Sequence, residues 1–359
     1  MYIVLLIICI LVIYLKSRTP VKKTYKTCES KRQNMKNILE KHNISKSKNA
    51  SKWDLYIPCG YNKVESELKT IKVDNDNQIV FGISGCDKVV SKNNLWTILS
   101  NTYGRQKACT LMPETYVLNN IHDMQKFNKD YDKNKVYVLK KPLQRKKGIH
   151  ITNDLSVISN AKNDGYKIVQ NFLNNMYIIN GRKMNIRIYV VIKCLNGNVT
   201  GYIHKEGKCI YTIQKSNNNK LNFDSNITGN NKTNLEIYQN NPLTLEELRQ
   251  YFHQKNYNYD EFFNKIKHII SLTISACAPY LCKLKRLSKN TTFQLFGADI
   301  IFDKNLNPYL LEFNKGPDMK PITLKDKLTK EKVKEDLLGI INLINNNNNG
   351  FMKLNIHNV

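Results

Sequence analysis

Alternation of apolar and polar positions is clearest near the carboxy-terminal end of the chain. Residues 293–302 (FQLFGADIIF) and 308–314 (PYLLEFN) are apolar runs separated by the polar stretch 303–307, which predicts a β-hairpin. Folding it about Asn305 sets Asp299 opposite Glu312, Gly297 opposite Asn314 and Ile301 opposite Leu310. Successive side chains on a strand point to opposite faces, so Asp299, Glu312 and Asn314 share one face. Ala298, Ile300, Phe302, Tyr309, Leu311 and Phe313 take the other. A second alternating run, 183–193 (KMNIRIYVVIK), puts Lys183, Asn185 and Arg187 on one side and Met184, Ile186, Ile188 and Val190 on the other.

Shorter apolar runs at 79–83, 111–118, 136–140 and 168–173 predict strands, and 199–204 with 208–214 a strand pair turning at Glu206-Gly207. A helix is expected at 94–99. Thr244-Leu245-Glu246-Glu247 is a capping box opening a helix to about residue 253. The next helix carries Phe262, Ile266, Ile269, Ile270, Thr273, Ile274 and Cys277 on one stripe and should end at Pro279. A last helix is expected at 330–344. Residues 216–241 read as an Asn-rich loop and 346–359 as an Asn-rich tail.

Residues 1–15 (MYIVLLIICILVIYL) are apolar and uncharged. As a helix they reach about 22 Å, short of a hydrocarbon core of about 30 Å, and Lys16 and Arg18 can snorkel to make up part of the deficit. An uncleaved membrane anchor fits better than a signal peptide, which would carry a basic segment before the apolar run and a small-residue cleavage site after it. Residues 16–52 hold twelve Lys/Arg against two Glu, so the body is expected on the cytoplasmic side. Residues 16–78 read as a solvated basic linker.

The net charge of +27 calls for anionic partners. It fits nucleotide or acidic polypeptide; a specific nucleic-acid role lacks a recognition module or zinc spacing. The nine cysteines are scattered with no C-x-x-C pair, and reduced structural thiols are the expectation. Sequons at Asn43, Asn198, Asn226 and Asn290 carry little information in so Asn-rich a chain.

Two carboxylates directly across a ladder repel. A hard divalent cation reverses that sign, and Mg²⁺ favours one or two carboxylates together with phosphate oxygens. Asp299 and Glu312, with Asn314 as a third oxygen ligand, therefore point to a metal–nucleotide site. The plain alternative is a half-solvated hairpin with an acidic wet face.

Placed in order, the motifs are a strand ending in Lys140, a basic loop to Gly148, Val169-Gln170, and Gly181-x-Lys183-x-Asn185-Ile186-Arg187. Glu206-Gly207, a loop containing Thr228, Phe293-Gln294-Leu295-Phe296-Gly297-x-Asp299 and Glu312-x-Asn314-x-x-Pro317 follow. From about residue 95 to 317 this resembles the tubulin–tyrosine ligase and tubulin polyglutamylase family. The resemblance implies an α+β, ATP-grasp fold, two lobes pinching a nucleotide, here preceded by a single N-terminal membrane helix. Together with the apolar and basic segments read above, it divides the chain into an anchor (1–15), basic linker (16–78), N-terminal lobe (79–135), ATP-grasp catalytic lobes (136–345) and tail (346–359).

By the same resemblance, Lys140 contacts the α/β-phosphates, the loop to Gly148 covers the triphosphate and Gln170 faces the adenine edge. Lys183 and Arg187 face phosphate and the incoming carboxylates, Thr228 lies near the site, and Asp299, Glu312 and Asn314 hold Mg²⁺. The implied reaction is ATP-dependent joining of a free amino acid to an acidic polypeptide such as a tubulin tail, through an acyl phosphate, glutamylase-like more than tyrosine-adding. Three positions depart from the family pattern: Asn171 for lysine, Asn185 for aspartate, and Ile210 for an arginine that helps hold the amino acid. They leave open an alternative, a membrane-anchored relative that binds nucleotide or an acidic partner without turnover.

Overall fold

The computed structural model describes residues 22–28, 33–143, 148–217, 220–229 and 234–357, and its strands form two sheets. The larger begins with β1 (Thr24–Thr27), β2 (Ser45–Lys46), β3 (Leu55–Ile57) and β4 (Ile79–Phe81), paired in parallel in the order β4-β3-β1-β2. Parallel neighbours need crossovers, and the helices Gln33–Lys41 and Val64–Thr70 supply them. The smaller sheet is antiparallel, ordered β5-β8-β6-β7, from β5 (Thr115–Val117), β6 (Tyr137–Lys140), β7 (Ile149–Thr152) and β8 (Ile168–Asn171).

The chain then returns to the larger sheet with β9 (Ile178–Ile179), β10 (Arg182–Leu195), β11 (Asn198–Tyr211), β12 (Thr292–Phe302), β13 (Pro308–Asn314) and β14 (Phe351–Lys353). β12 is its centre. It runs antiparallel to β10, its start pairs in parallel with β4, and its end pairs antiparallel with β13. All of its residues are buried, which is why its sequence is a nearly unbroken apolar run.

The helix Tyr259–Cys277 buries the predicted stripe against Met184, Ile186 and Ile188, while Gln33–Lys41 and Leu324–Ile340 cover Tyr189 and Val191 on the opposite face. A separate cluster around Tyr116, Phe127 and Leu139 fills the smaller sheet. The capping box at Thr244 is formed.

Several expectations are corrected. Within 16–78 the described residues are no solvated linker: Tyr25, Leu39 and Leu55 are core residues of strands and a helix. One apolar residue every few positions was enough to bury these elements, and the lysine-rich composition hid it. The Asn-rich tail likewise contributes β14, which pairs with β11 and buries Phe351. Glu206-Gly207 is not a turn; β11 runs through it, with an irregularity where the pairing passes from Ile188↔Gly207 to Val190↔Ile203. Helices cover Lys92–Tyr103 and Leu324–Ile340 in place of 94–99 and 330–344, and the strand expected at 111–118 is the shorter β5.

The expectation of uniformly reduced thiols is also corrected. Cys28 is joined to Cys59 and Cys194 to Cys282, with Cα separations of 5.3 and 5.9 Å. Partners 31 and 88 residues apart leave no spacing signal. The proposed membrane segment, 1–15, lies outside the described residues; among those described, no helix is long and apolar enough to cross a membrane.

Candidate functional site

The hairpin brings the expected acidic residues together. Asp299 lies opposite Glu312 and Gly297 opposite Asn314. The Asn314 amide donates from Nδ2 to Asp299 Oδ2 at 3.1 Å and to Glu312 Oε1 at 3.3 Å. One detail differs: the register shifts after Asp299, so Leu310 pairs with Ile300 rather than Ile301. The extra residue is Leu311, a β-bulge that sends Leu310 into the core and leaves Tyr309 and Leu311 only half-buried.

The carboxylates have cationic neighbours from elements far away in sequence. Arg187, directly across from Asp299 on β10, donates through Nη2 to Oδ2 at 2.8 Å and through Nε to Oδ1. Gly297 makes room for this side chain, because a Cβ there would stand 2.6 Å from Arg187 Cδ. Lys92, the first residue of the helix Lys92–Tyr103, reaches Glu312 Oε2 at 2.9 Å. Burial pushes the Asp299 carboxyl up, with Arg187 pulling it back. Burial also raises Glu312, but Lys92 and Lys140 outweigh it and hold the carboxyl below its usual range. Burial alone would lower the Arg187 guanidinium; Asp299 beside it more than offsets that.

Lys140 comes from the smaller sheet and is buried at the end of β6. Burial pushes its ammonium down to about 8, partly countered by Glu312 and Asp299, so the two sheets bring this lysine into the field of the acidic pair. Its Nζ donates to Gln170 Oε1 at 2.6 Å. The buried Gln170 amide is engaged by Lys140, Thr115 and the Pro113 carbonyl. Gly148 closes the β6–β7 hairpin at φ 79°, its carbonyl accepting from Lys141 N at 2.8 Å. A Cβ there would stand 2.6 Å from Lys141 Cβ. The preceding residues 144–147, which include Arg145, Lys146 and Lys147, lie outside the described residues.

Lys183, Asn185 and Arg187 share one face of β10, as expected. Lys183 donates to Asn226 Oδ1, lies over the Phe172 ring at 4.8 Å, and is lowered in pKa by burial. Thr228 bridges to Thr212, whose N–H bonds the Lys183 carbonyl. Four residues along a strand separate Lys183 from Arg187 by about 13 Å. Lys183 and Thr228 therefore form a flank of the site, while Arg187, Lys92, Lys140, Asp299, Glu312 and Asn314 form its centre. Between the two lies Asn185, cross-strand from Ile210; both are buried, and Asn185 Oδ1 has no hydrogen-bond partner among the described residues.

Lys92, Thr115 and Asn226 escaped the sequence reading. Only Lys92 left a signal: a lysine in the first turn of a helix opposes the helix dipole, which asks for a specific acidic partner.

The sequence profile of the tubulin-tyrosine ligase family matches residues 70–349. The chain is 27% identical over 280 residues to the tubulin monoglutamylase TTLL4 of Mus musculus, covering 72% of this chain and 23% of that protein. It is 25% identical to the tubulin polyglutamylase TTLL6 of Mus musculus, over 62% of this chain and 29% of that one. With the tubulin glycylase 3D of Tetrahymena thermophila it shares 29% identity, over 55% of this chain and 20% of the other. The chain thus spans between 20% and 44% of the length of these and other curated relatives it matches.

Proposed function

Because the chain belongs to the tubulin-tyrosine ligase family, we propose that it is an ATP- and Mg²⁺-dependent ligase of ATP-grasp fold that joins an amino acid to a carboxylate of an acidic protein, with a tubulin tail as acceptor. The observation that carries this reading is the pair of a buried Asp299 and a half-buried Glu312, bridged by Asn314 and ringed by Arg187, Lys92 and Lys140. Two carboxylates and an amide oxygen, which a flip of the Asn314 amide would present, suit a hard cation shared with phosphate oxygens. Such an ion, when bound, neutralises charge on the transferring phosphoryl group. Lys140 binds the α/β-phosphates and the hairpin closed by Gly148 covers them. Arg187 and Lys183 orient carboxylates, and Thr228 supports that flank.

In the proposed reaction a carboxylate oxygen of the acceptor attacks the γ-phosphorus, the bond to ADP breaks, and an acyl phosphate forms. The free amine then attacks the acyl carbon, phosphate leaves with the C–O electron pair, and a proton is released. Most of the rate comes from positioning and fixed charge. Glutamate is favoured over tyrosine, since two of the relatives above are named glutamylases and a +27 chain suits addition to an acidic tail. The neutral Asn185–Ile210 pair supports a second reading, a relative that binds nucleotide without turnover.

The same proposal includes residues 1–15 as a membrane anchor with the body in the cytoplasm. The purified chain is expected to bind Mg-ATP, and Asp299→Asn or Glu312→Gln to lose at least tenfold in affinity. Tubulin supplied with each labelled amino acid then separates the readings: incorporation supports the ligase, and ATP binding with none of the twenty incorporated supports the binder.

A further inference from the structure

The Lys140 ammonium is held at the end of a hydrogen-bond chain that crosses all three of the strands β5, β8 and β6. Thr115 on β5 is fully buried, and its hydroxyl donates to the Pro113 carbonyl at 2.8 Å. That hydrogen is spent, so towards Gln170 the Thr115 oxygen can only accept, and it does, from Nε2 at 2.8 Å. The second Nε2 hydrogen points at the Pro113 carbonyl, 3.4 Å away. Gln170 Oε1 is thereby turned to Lys140 Nζ, which donates to it at 2.6 Å. The reverse amide orientation would set two donors, NH₂ and NH₃⁺, against each other. The polarity of the chain therefore has one solution. The strand register sets it up, since Gln170 pairs with Thr115 on one side and with Val138, two residues before Lys140, on the other.

We propose that Thr115 and Gln170 are positioning residues whose work is to aim the Lys140 ammonium at the phosphates of the bound nucleotide. On this view Gln170 serves the lysine rather than the base. A buried lysine has many rotamers and no intrinsic direction; a fixed acceptor gives it one before ligand arrives, which lowers the ordering cost of binding. The inference rests on the nucleotide reading above, and its test separates the two.

The experiment measures binding of Mg-ATP and of adenosine to the full chain and its variants. Thr115→Val removes the acceptor at constant shape and should weaken Mg-ATP about tenfold, the scale of one buried hydrogen bond, while leaving adenosine binding unchanged. Thr115→Ser should restore the affinity. Gln170→Met should reproduce the loss, again for Mg-ATP alone. The double variant should be no worse than Gln170→Met, because the two residues act in series. Should Thr115→Val fail to fold, Gln170→Met alone decides. Loss of adenosine binding in Gln170→Met would overturn the inference by giving Gln170 to the base, as would wild-type Mg-ATP affinity in that variant or in Thr115→Val. Failure of the wild-type chain to bind Mg-ATP would remove the nucleotide reading and this inference with it.

Discussion

At the scale of single residues, the site is a balance between two carboxylates and three cations, all largely withdrawn from water. Lys140 is the member whose charge is easiest to remove, because burial brings its ammonium to about 8 from an ordinary 10.5. A basic group depressed in this way costs the folded protein stability while it is charged below about 8, and the cost fades as pH rises towards 10.5. Nucleotide binding has the opposite sign, since only the charged form attracts phosphate. Mg-ATP affinity is therefore expected to weaken as pH rises through about 8, and Lys140→Met, weaker at neutral pH, should lose most of that dependence. A titration of affinity from pH 6.5 to 9.5 checks both, and identical profiles for the two proteins would contradict the assignment. Asp299, Glu312 and Asn314 were legible at this scale because a strand's period of two needs no tertiary information. Lys92 was not, because what makes it part of the site is the approach of another element.

At the scale of elements, the carboxy-terminal segment is held by one buried polar knot. His204 on β11 accepts at Nδ1 from Glu206 N at 2.9 Å, so its Nε2 carries the hydrogen that faces Asp336 Oδ2 at 2.9 Å. Asp336 also accepts from Gly350 N at 2.8 Å and from Asn346 and Lys332, both at 2.6 Å. Burial opposes this carboxylate, but its partners, His204 foremost, hold its pKa near 2. Its contribution is thus present above the usual carboxylate range near 3.8 and lost as pH falls towards about 2. Asp336→Ala should cost ~3 kcal/mol in chemical denaturation at pH 7, the scale of leaving buried hydrogen-bond donors without their acceptor. Gly350→Ala should also destabilise, since its Cβ would stand 2.5 Å from His204 Nε2. Wild-type stability in both would mean the tail is not anchored there. The Asn-rich composition concealed this element: Asn346 is a ligand of a buried carboxylate, a role that shows only when β11 and the helix Leu324–Ile340 are brought together.

At the scale of the molecule, the proposed anchor at 1–15 with a cytoplasmic body makes a prediction about glycosylation. Among the sequons, Asn290 is buried, with its Nδ2 bonded to the Asn75 and Gln78 carbonyls, and Asn226 is buried against Lys183. Asn198, at the start of β11, is exposed, as are Asn43 and Asn49, and can report on orientation. A cytoplasmic body predicts no glycan at Asn198 when the full chain is expressed in cells, and a mass shift removed by Asn198→Gln would reverse the orientation. The joined pairs Cys28–Cys59 and Cys194–Cys282 sharpen the question, because disulfides are uncommon in reducing compartments. Differential alkylation of the purified protein should protect these four and label Cys109, which is partly exposed.

What the sequence determined by itself was local and periodic: the hairpin, the three residues on its wet face, the facing of Lys183, Asn185 and Arg187, the core stripe of the helix Tyr259–Cys277, and motif order enough to indicate a family. The tertiary structure alone decided which charges meet. It set Arg187 on Asp299, Lys92 on Glu312, Gln170 inward on Lys140, and moved Leu310 into the core through a one-residue bulge. The reason is that side-chain facing follows from the repeat of the backbone, whereas neutralising a buried carboxylate depends on cations delivered by strands and helices far apart along the chain, and no spacing along the sequence records that distance.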